Sequence, residues 1–182
     1  MARDWVDVLV RPDRFFRERI APGEQAPGLV FAMAVVLLEE GARYVFVPDA
    51  VPVVAGLSGV SRLAWLAVAV LLVTPAALHL VAAVQTLLLV PFAPERAGVS
   101  ETVQVVAYAT APCVFAGLPI PAVRVVCAFY GAVLLALGVS ARHGVSVERA
   151  VLLGAIPSAL VFGYGFRGFA ALVDLLGGWK LL

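Results

Sequence analysis

Charge is scarce in this chain of 182 residues: 14% are Asp, Glu, Lys or Arg, against about 25% in soluble domains. A small domain has too much surface for its volume to hide a sequence that is 63% hydrophobic. A water-soluble domain of any size is therefore excluded, and lipid must solvate much of the exterior. Cysteine is nearly absent. Cys113 and Cys127 both lie in apolar runs, which excludes a disulfide framework and a metal site with ligand spacing. Lysine occurs once, at Lys180, and no basic stripe carries interleaved aromatics, so nucleic acid is not an expected partner. The first 28 residues hold no uncharged apolar stretch of the secretory-signal kind, and no lipidation motif is present. With no nucleophile arrangement, metal set or phosphate loop, neither an enzyme nor a bound cofactor is expected.

What is present is a series of apolar runs. Crossing a hydrocarbon core of about 30 Å takes about 20 residues of helix. Five segments qualify, at about 29–47, 63–90, 102–117, 122–139 and 147–172. The second is longer than a span requires, and Pro75 is the natural place for a bend. The third is the most polar, with Gln104 and Tyr108. Pro119 and Pro121 leave room only for a tight hairpin between the third and fourth, which should bring Cys113 and Cys127 to similar depth. Ser100 and Ser146 each read as an N-cap with an acid in the first turn. The expected fold is an all-α membrane protein: a polytopic bundle of five transmembrane helices over residues 29–182.

Residues 1–28 form no span. Trp5, Val8 and Leu9 share one helical face, as do Phe16 and Ile20, with arginines and aspartates between them. This pattern predicts an amphipathic helix lying in the membrane interface. With the N-terminus in the cytoplasm, that side receives the five N-terminal arginines plus Arg96, Arg142 and Arg149. The other side receives Arg62, Arg124, Arg167 and Lys180. The asymmetry predicts a cytoplasmic N-terminus and an external C-terminus in the cell membrane.

Several motifs resemble the Yip1-domain family. They are Ala107-Tyr108-Ala-Thr-Ala-Pro112, the turn prolines Pro119 and Pro121, and the stretch from Tyr130 through Gly138 and His143 to Ala150. Pro12-Asp-Arg-Phe15-Phe16 is similar to the family's opening, whereas Pro91-Phe-Ala-Pro94-Glu-Arg departs from an expected glycine-rich turn. The resemblance implies a five-span bundle with a cytoplasmic N-terminus. Eukaryotic members are linked to Rab GTPases and vesicle traffic. This compact chain looks like the archaeal or bacterial branch, which has no Rab system, so that role does not transfer.

Ionisable and polar groups within spans single out a candidate intramembrane site: Glu39, Glu40, Arg43, His79, Tyr108 and Arg124. Arg43 lies three and four residues from the two acids, so either can reach its guanidinium. One arginine cannot neutralise both. Either the first span ends early and the cluster sits at the outer interface, or the spare acid faces the bundle and meets His79 or Tyr108. The simpler readings are snorkelling for Arg124 and a neutral imidazole hydrogen-bonded across helices for His79. Gly56-Leu57-Ser58-Gly59 matches a rhomboid-protease string, but Ser58 enters the same helix as His79, which is the wrong arrangement for that chemistry. The expected role is protein interaction or membrane organisation, with the bilayer, other membrane proteins or further copies as partners. The alternative is a small transporter or channel built on the intramembrane polar residues.

Overall fold

The computed structural model describes residues 2–47, 49, 51 and 58–178. Every regular element among them is helical: α1 (Ala2–Val10), α2 (Pro12–Glu18), α3 (Ala26–Phe46), α4 (Ser58–Val68), α5 (Thr74–Leu89), α6 (Val99–Ala109), α7 (Pro121–His143), α8 (Val147–Ser158) and α9 (Gly168–Gly178). A π-helical stretch, Ala69–Val73, joins α4 to α5, and a second, Ala159–Gly165, extends α8. A 3₁₀ stretch, Ala111–Phe115, follows α6.

Proline placement explains many of these boundaries. Pro12, Pro27 and Pro121 lie in the first two positions of their helices, where a missing N–H breaks no helical hydrogen bond, and Pro112 opens the 3₁₀ stretch after α6; Pro75 instead interrupts the ladder inside a continuous helical segment. The expected bend near Pro75 takes the form of the π stretch before it, and the Thr74 hydroxyl donates to the Ala69 carbonyl at 2.7 Å across the wide turn. Gly144 ends α7 in the left-handed region at φ 66, a conformation that costs glycine little. Ser146 caps α8 as expected, accepting from the Arg149 N–H. Ser100 does not cap α6. That place belongs to Gly98, whose N–H donates to Glu101 at 2.9 Å, while Ser100 lies inside the helix and accepts from the Gly23 N–H.

Three continuous helical segments are long and apolar enough to cross a membrane: Gly59–Leu89, Pro121–His143 and Val147–Gly165. The 21-residue α3 is continuous, but its apolar run is interrupted by Glu39, Glu40 and Arg43. Eleven-residue α6 rises only about 16 Å. It is the central post of the bundle, buried from Glu101 to Ala109 and packed by α3, α5 and α7. The last apolar run, expected to be continuous from 147 to 172, breaks at Phe166–Arg167, and α9 starts afresh at Gly168. The break is sharp because Arg167 takes a left-handed φ of 59, and a Cβ on Gly168 would stand 2.6 Å from the Phe162 carbonyl oxygen.

The segment from α1 to Ile20 is docked on the bundle. Val8, Phe15, Phe16 and Ile20 belong to one hydrophobic core with residues of α3, α5, α6 and α7. Phe16 packs where a Cβ on Gly138 would come within 3.1 Å of its ring, and Phe15 meets the Tyr108 ring edge-on at 4.9 Å. Trp5 Nε1 donates to the Ala111 carbonyl at 2.8 Å, and the Tyr130 hydroxyl donates to the Leu9 carbonyl. The apolar faces of α1 and α2 thus point largely into protein.

Candidate functional site

The most concentrated charge within the bundle lies where α3 nears its end. Glu39 and Glu40 are 1% and 9% exposed, and an isolated charge taken that far from water would be costly. Two arginines answer them. Arg43, one turn along α3, donates to Glu40 Oε2 through Nε at 2.9 Å and Nη2 at 2.7 Å. Arg167 comes from the break before α9: its Nη1 donates to Glu40 Oε1 at 2.9 Å, and its Nη2 to Glu39 Oε1. Two acids and two guanidinium groups therefore form one network without net charge. The left-handed backbone at Arg167 turns the chain at the position from which that side chain bridges both acids. A stabilising tie also runs from Arg43, whose guanidinium lies 5.1 Å from the centre of the Tyr44 ring.

The six residues singled out in the sequence divide. Glu39, Glu40 and Arg43 come together. His79 is exposed and its Nδ1 donates to the Pro75 carbonyl of its own helix at 2.7 Å, so it is not the partner of the spare acid. Tyr108 lies between Phe15 and Phe31, with ring centroids 4.9 and 4.8 Å away. Arg124 neither snorkels freely nor joins the acids: its Nε and Nη2 donate to the Ala116 and Leu118 carbonyls at 2.9 and 3.2 Å, closing the hairpin before α7. Cys113 Sγ donates to the Cys127 carbonyl at 3.8 Å across the same hairpin. Gly56 and Leu57 of the rhomboid-like string lie outside the described residues.

Arg167 joins the acids although no spacing in the sequence names it as their partner. The signal was arithmetical: two acids beside one arginine leave one carboxylate to protonate, face water or find another partner, and Arg167 stands between two glycines in the last apolar run. A second pair escaped in the same way. Glu101 at the start of α6 accepts from Arg142 at the end of α7, and neighbouring His143 meets the Thr102 hydroxyl at 3.3 Å.

A groove of about 180 Å³ opens beside the acids. Its walls come from α3, α5 and both π-helical stretches, and they are apolar apart from Glu39, Glu40, Thr74 and Thr110. Both threonine hydroxyls are already engaged, donating to the Ala69 and Ala107 carbonyls. Two further grooves, beside Trp5 and Phe31 and beside Phe129 and Phe162, are lined almost wholly by apolar side chains. A charged concavity lies on α1 and α2 among Asp7, Arg11, Arg14, Glu18 and Arg19.

A family model for the Yip1 domain matches residues 6–166. The chain belongs to the Yip1 family. The match begins in α1 and ends at Phe166, so it takes in the docked N-terminal helices and the whole bundle up to the break at Arg167. No curated protein and no solved structure matches the chain. The Yip1 membership and the apolar helices together make this a membrane protein. The residues by which it resembles the Yip1 family are contact residues: Phe15 on Tyr108, Phe16 on Gly138, Tyr130 on Leu9 and His143 on Thr102.

Proposed function

We propose that this Yip1-family protein is a five-pass protein of an archaeal or bacterial cell membrane that acts by holding membrane partners rather than by catalysis or transport. In this reading α3 and the run from α6 through Phe115 join the three long apolar segments as passes. The excess of arginine on one side of the chain favours a cytoplasmic N-terminus, with α1 and α2 packed against the bundle on that side. A cytoplasm-active reporter would then work at the N-terminus and fail after the last pass.

The observation that carries the non-transport reading is the neutralised network of Glu39, Glu40, Arg43 and Arg167. A transporter keeps intramembrane charges available to substrate or ion. Here each acid is held by arginine, and close helix contacts back the network: a Cβ on Gly117 would collide with the Glu39 carbonyl oxygen. The lipid-facing surface offers exposed anchors, including Phe129 at 72% and Leu152 at 75% exposure. A photo-crosslinking residue at either position should trap discrete protein partners in native membranes. Proteoliposomes of the full chain should show no saturable flux of ions or small solutes. Flux abolished by Glu39→Gln would instead establish the transporter.

A further inference from the structure

Both π-helical stretches border the same groove. Ala69 and Val73 come from one, and Leu160, Val161 and Gly165 from the other. A π turn is an unfavourable widening of a helix and recurs at functional sites. The left-handed Arg167 stands just past the second one, another backbone conformation that packing must enforce. At about 180 Å³ the groove exceeds the 150 Å³ engineered protein cavity that takes up benzene, so it has room for a stretch of hydrocarbon.

Its polar corner is an acceptor. Glu39 lines the groove while its Oε1 accepts from Arg167, and no donor among the described residues reaches Oε2. The arginines are not part of the groove wall. A carboxylate or phosphate end would therefore meet a Glu39 oxygen of like charge, with the Arg167 guanidinium engaged on the other oxygen and outside the groove wall. An ammonium end would add positive charge to a network whose two acids and two arginines already balance. A hydroxyl suits the corner: it donates one hydrogen bond and brings no charge. We propose that the groove binds the hydrocarbon chain of a neutral amphiphile whose terminal hydroxyl donates to Glu39. This inference stands whether or not the protein also holds protein partners.

The test is photolabelling of the purified full-length protein with a diazirine-bearing hexadecan-1-ol. Label should map to the groove-lining positions Val73, Ala77, Val81, Leu160 and Val161, and not to Leu71 or Leu80 between them. Unlabelled hexadecan-1-ol should compete, and hexadecanoate and hexadecylammonium should compete about tenfold less well. Ala77→Phe fills the groove from α5 and should abolish this labelling while leaving the thermal midpoint unchanged. Glu39→Gln should erase the preference for alcohol over acid and amine. Groove labelling that survives Ala77→Phe, or label spread evenly over exposed positions such as Leu71 and Leu80, would overturn the proposal. Equal or better competition by the amine or the acid would overturn it as well.

Discussion

The protein carries two sets of charges within its helical body, and they are built differently. Near the start of α6, Glu101 has a local partner, the Gly98 N–H, and one distant partner, Arg142. Near the end of α3, Glu39 has Arg167 as its hydrogen-bonding partner, contributed from 128 residues away. The two sites lie at opposite ends of the bundle, since α3 starts against Gln104 and reaches Glu39 against Gly117. Glu101 can lose Arg142 and keep a donor. Glu39 cannot lose Arg167 without becoming an uncompensated buried acid. The same pairing of glutamate with arginine thus supports a helix start at one end and depends on tertiary structure at the other.

The largest expected effect is that of Arg167→Leu. Removing one partner of a buried ion pair typically costs about 3–5 kcal/mol, so the thermal midpoint in detergent should fall steeply. Adding Glu39→Gln to that variant should restore part of the loss, because the stranded charge is removed. A single variant as stable as the parent would remove the asymmetry between the two sites. Next comes Gly117→Val, whose side chain enters α3 at the Glu39 carbonyl; overpacking of this kind costs about 1–3 kcal/mol. Its loss should be additive with that of Arg142→Leu and non-additive with that of Arg167→Leu, measured by a double-mutant cycle.

Arg142→Leu should cost less than Arg167→Leu, on the order of 1–2 kcal/mol, since the Gly98 N–H still satisfies one Glu101 oxygen. A loss equal to that of Arg167→Leu would show that the local cap contributes little. Arg43→Leu should also cost less than Arg167→Leu, about 1–2 kcal/mol, because Arg167 continues to hold Glu40 through its other oxygen although two acids are then left to one arginine. If Arg43→Leu proves worse than Arg167→Leu, the weight of the network lies along α3 and not across the bundle.

What was legible in the sequence follows from the range of each interaction. The pairing of Glu40 with Arg43 is one helical turn long, and residue spacing alone discloses it. The Ser146 cap is equally local. Charge balance allowed a further partner but could not name Arg167, because only the folded chain brings residue 167 to residue 39. Ser100 misled for a related reason: its hydroxyl serves the Gly23 N–H from the N-terminal segment, so Gly98 and Glu101 cap the helix instead. His79 looked interior because its run is apolar throughout. Such a helix has no polar face to set its rotation, and packing turned this histidine outward. The motifs of the Yip1 resemblance were legible as strings, but their work of fastening α1 and α2 to the bundle needed the tertiary structure.

The enclosure of α6 has a consequence for how the protein is made. At about 16 Å, and with Glu101 and Gln104 among its eleven residues, this helix is a poor candidate for release into lipid by itself. In the finished bundle it is shielded by α3, α5 and α7, and Gln104 Nε2 donates to the Ala21 carbonyl at 2.7 Å. Two of its covering elements, α3 and α5, precede it in the chain, and the third, α7, follows a tight hairpin. Insertion should therefore proceed in two strokes at the translocon: the earlier helices wait as an open half-shell, and α6 enters together with α7 as a hairpin. A nascent chain stalled before α7 has emerged would leave α6 accessible to water-soluble reagents, and lengthening it through α7 would bury the helix in one step.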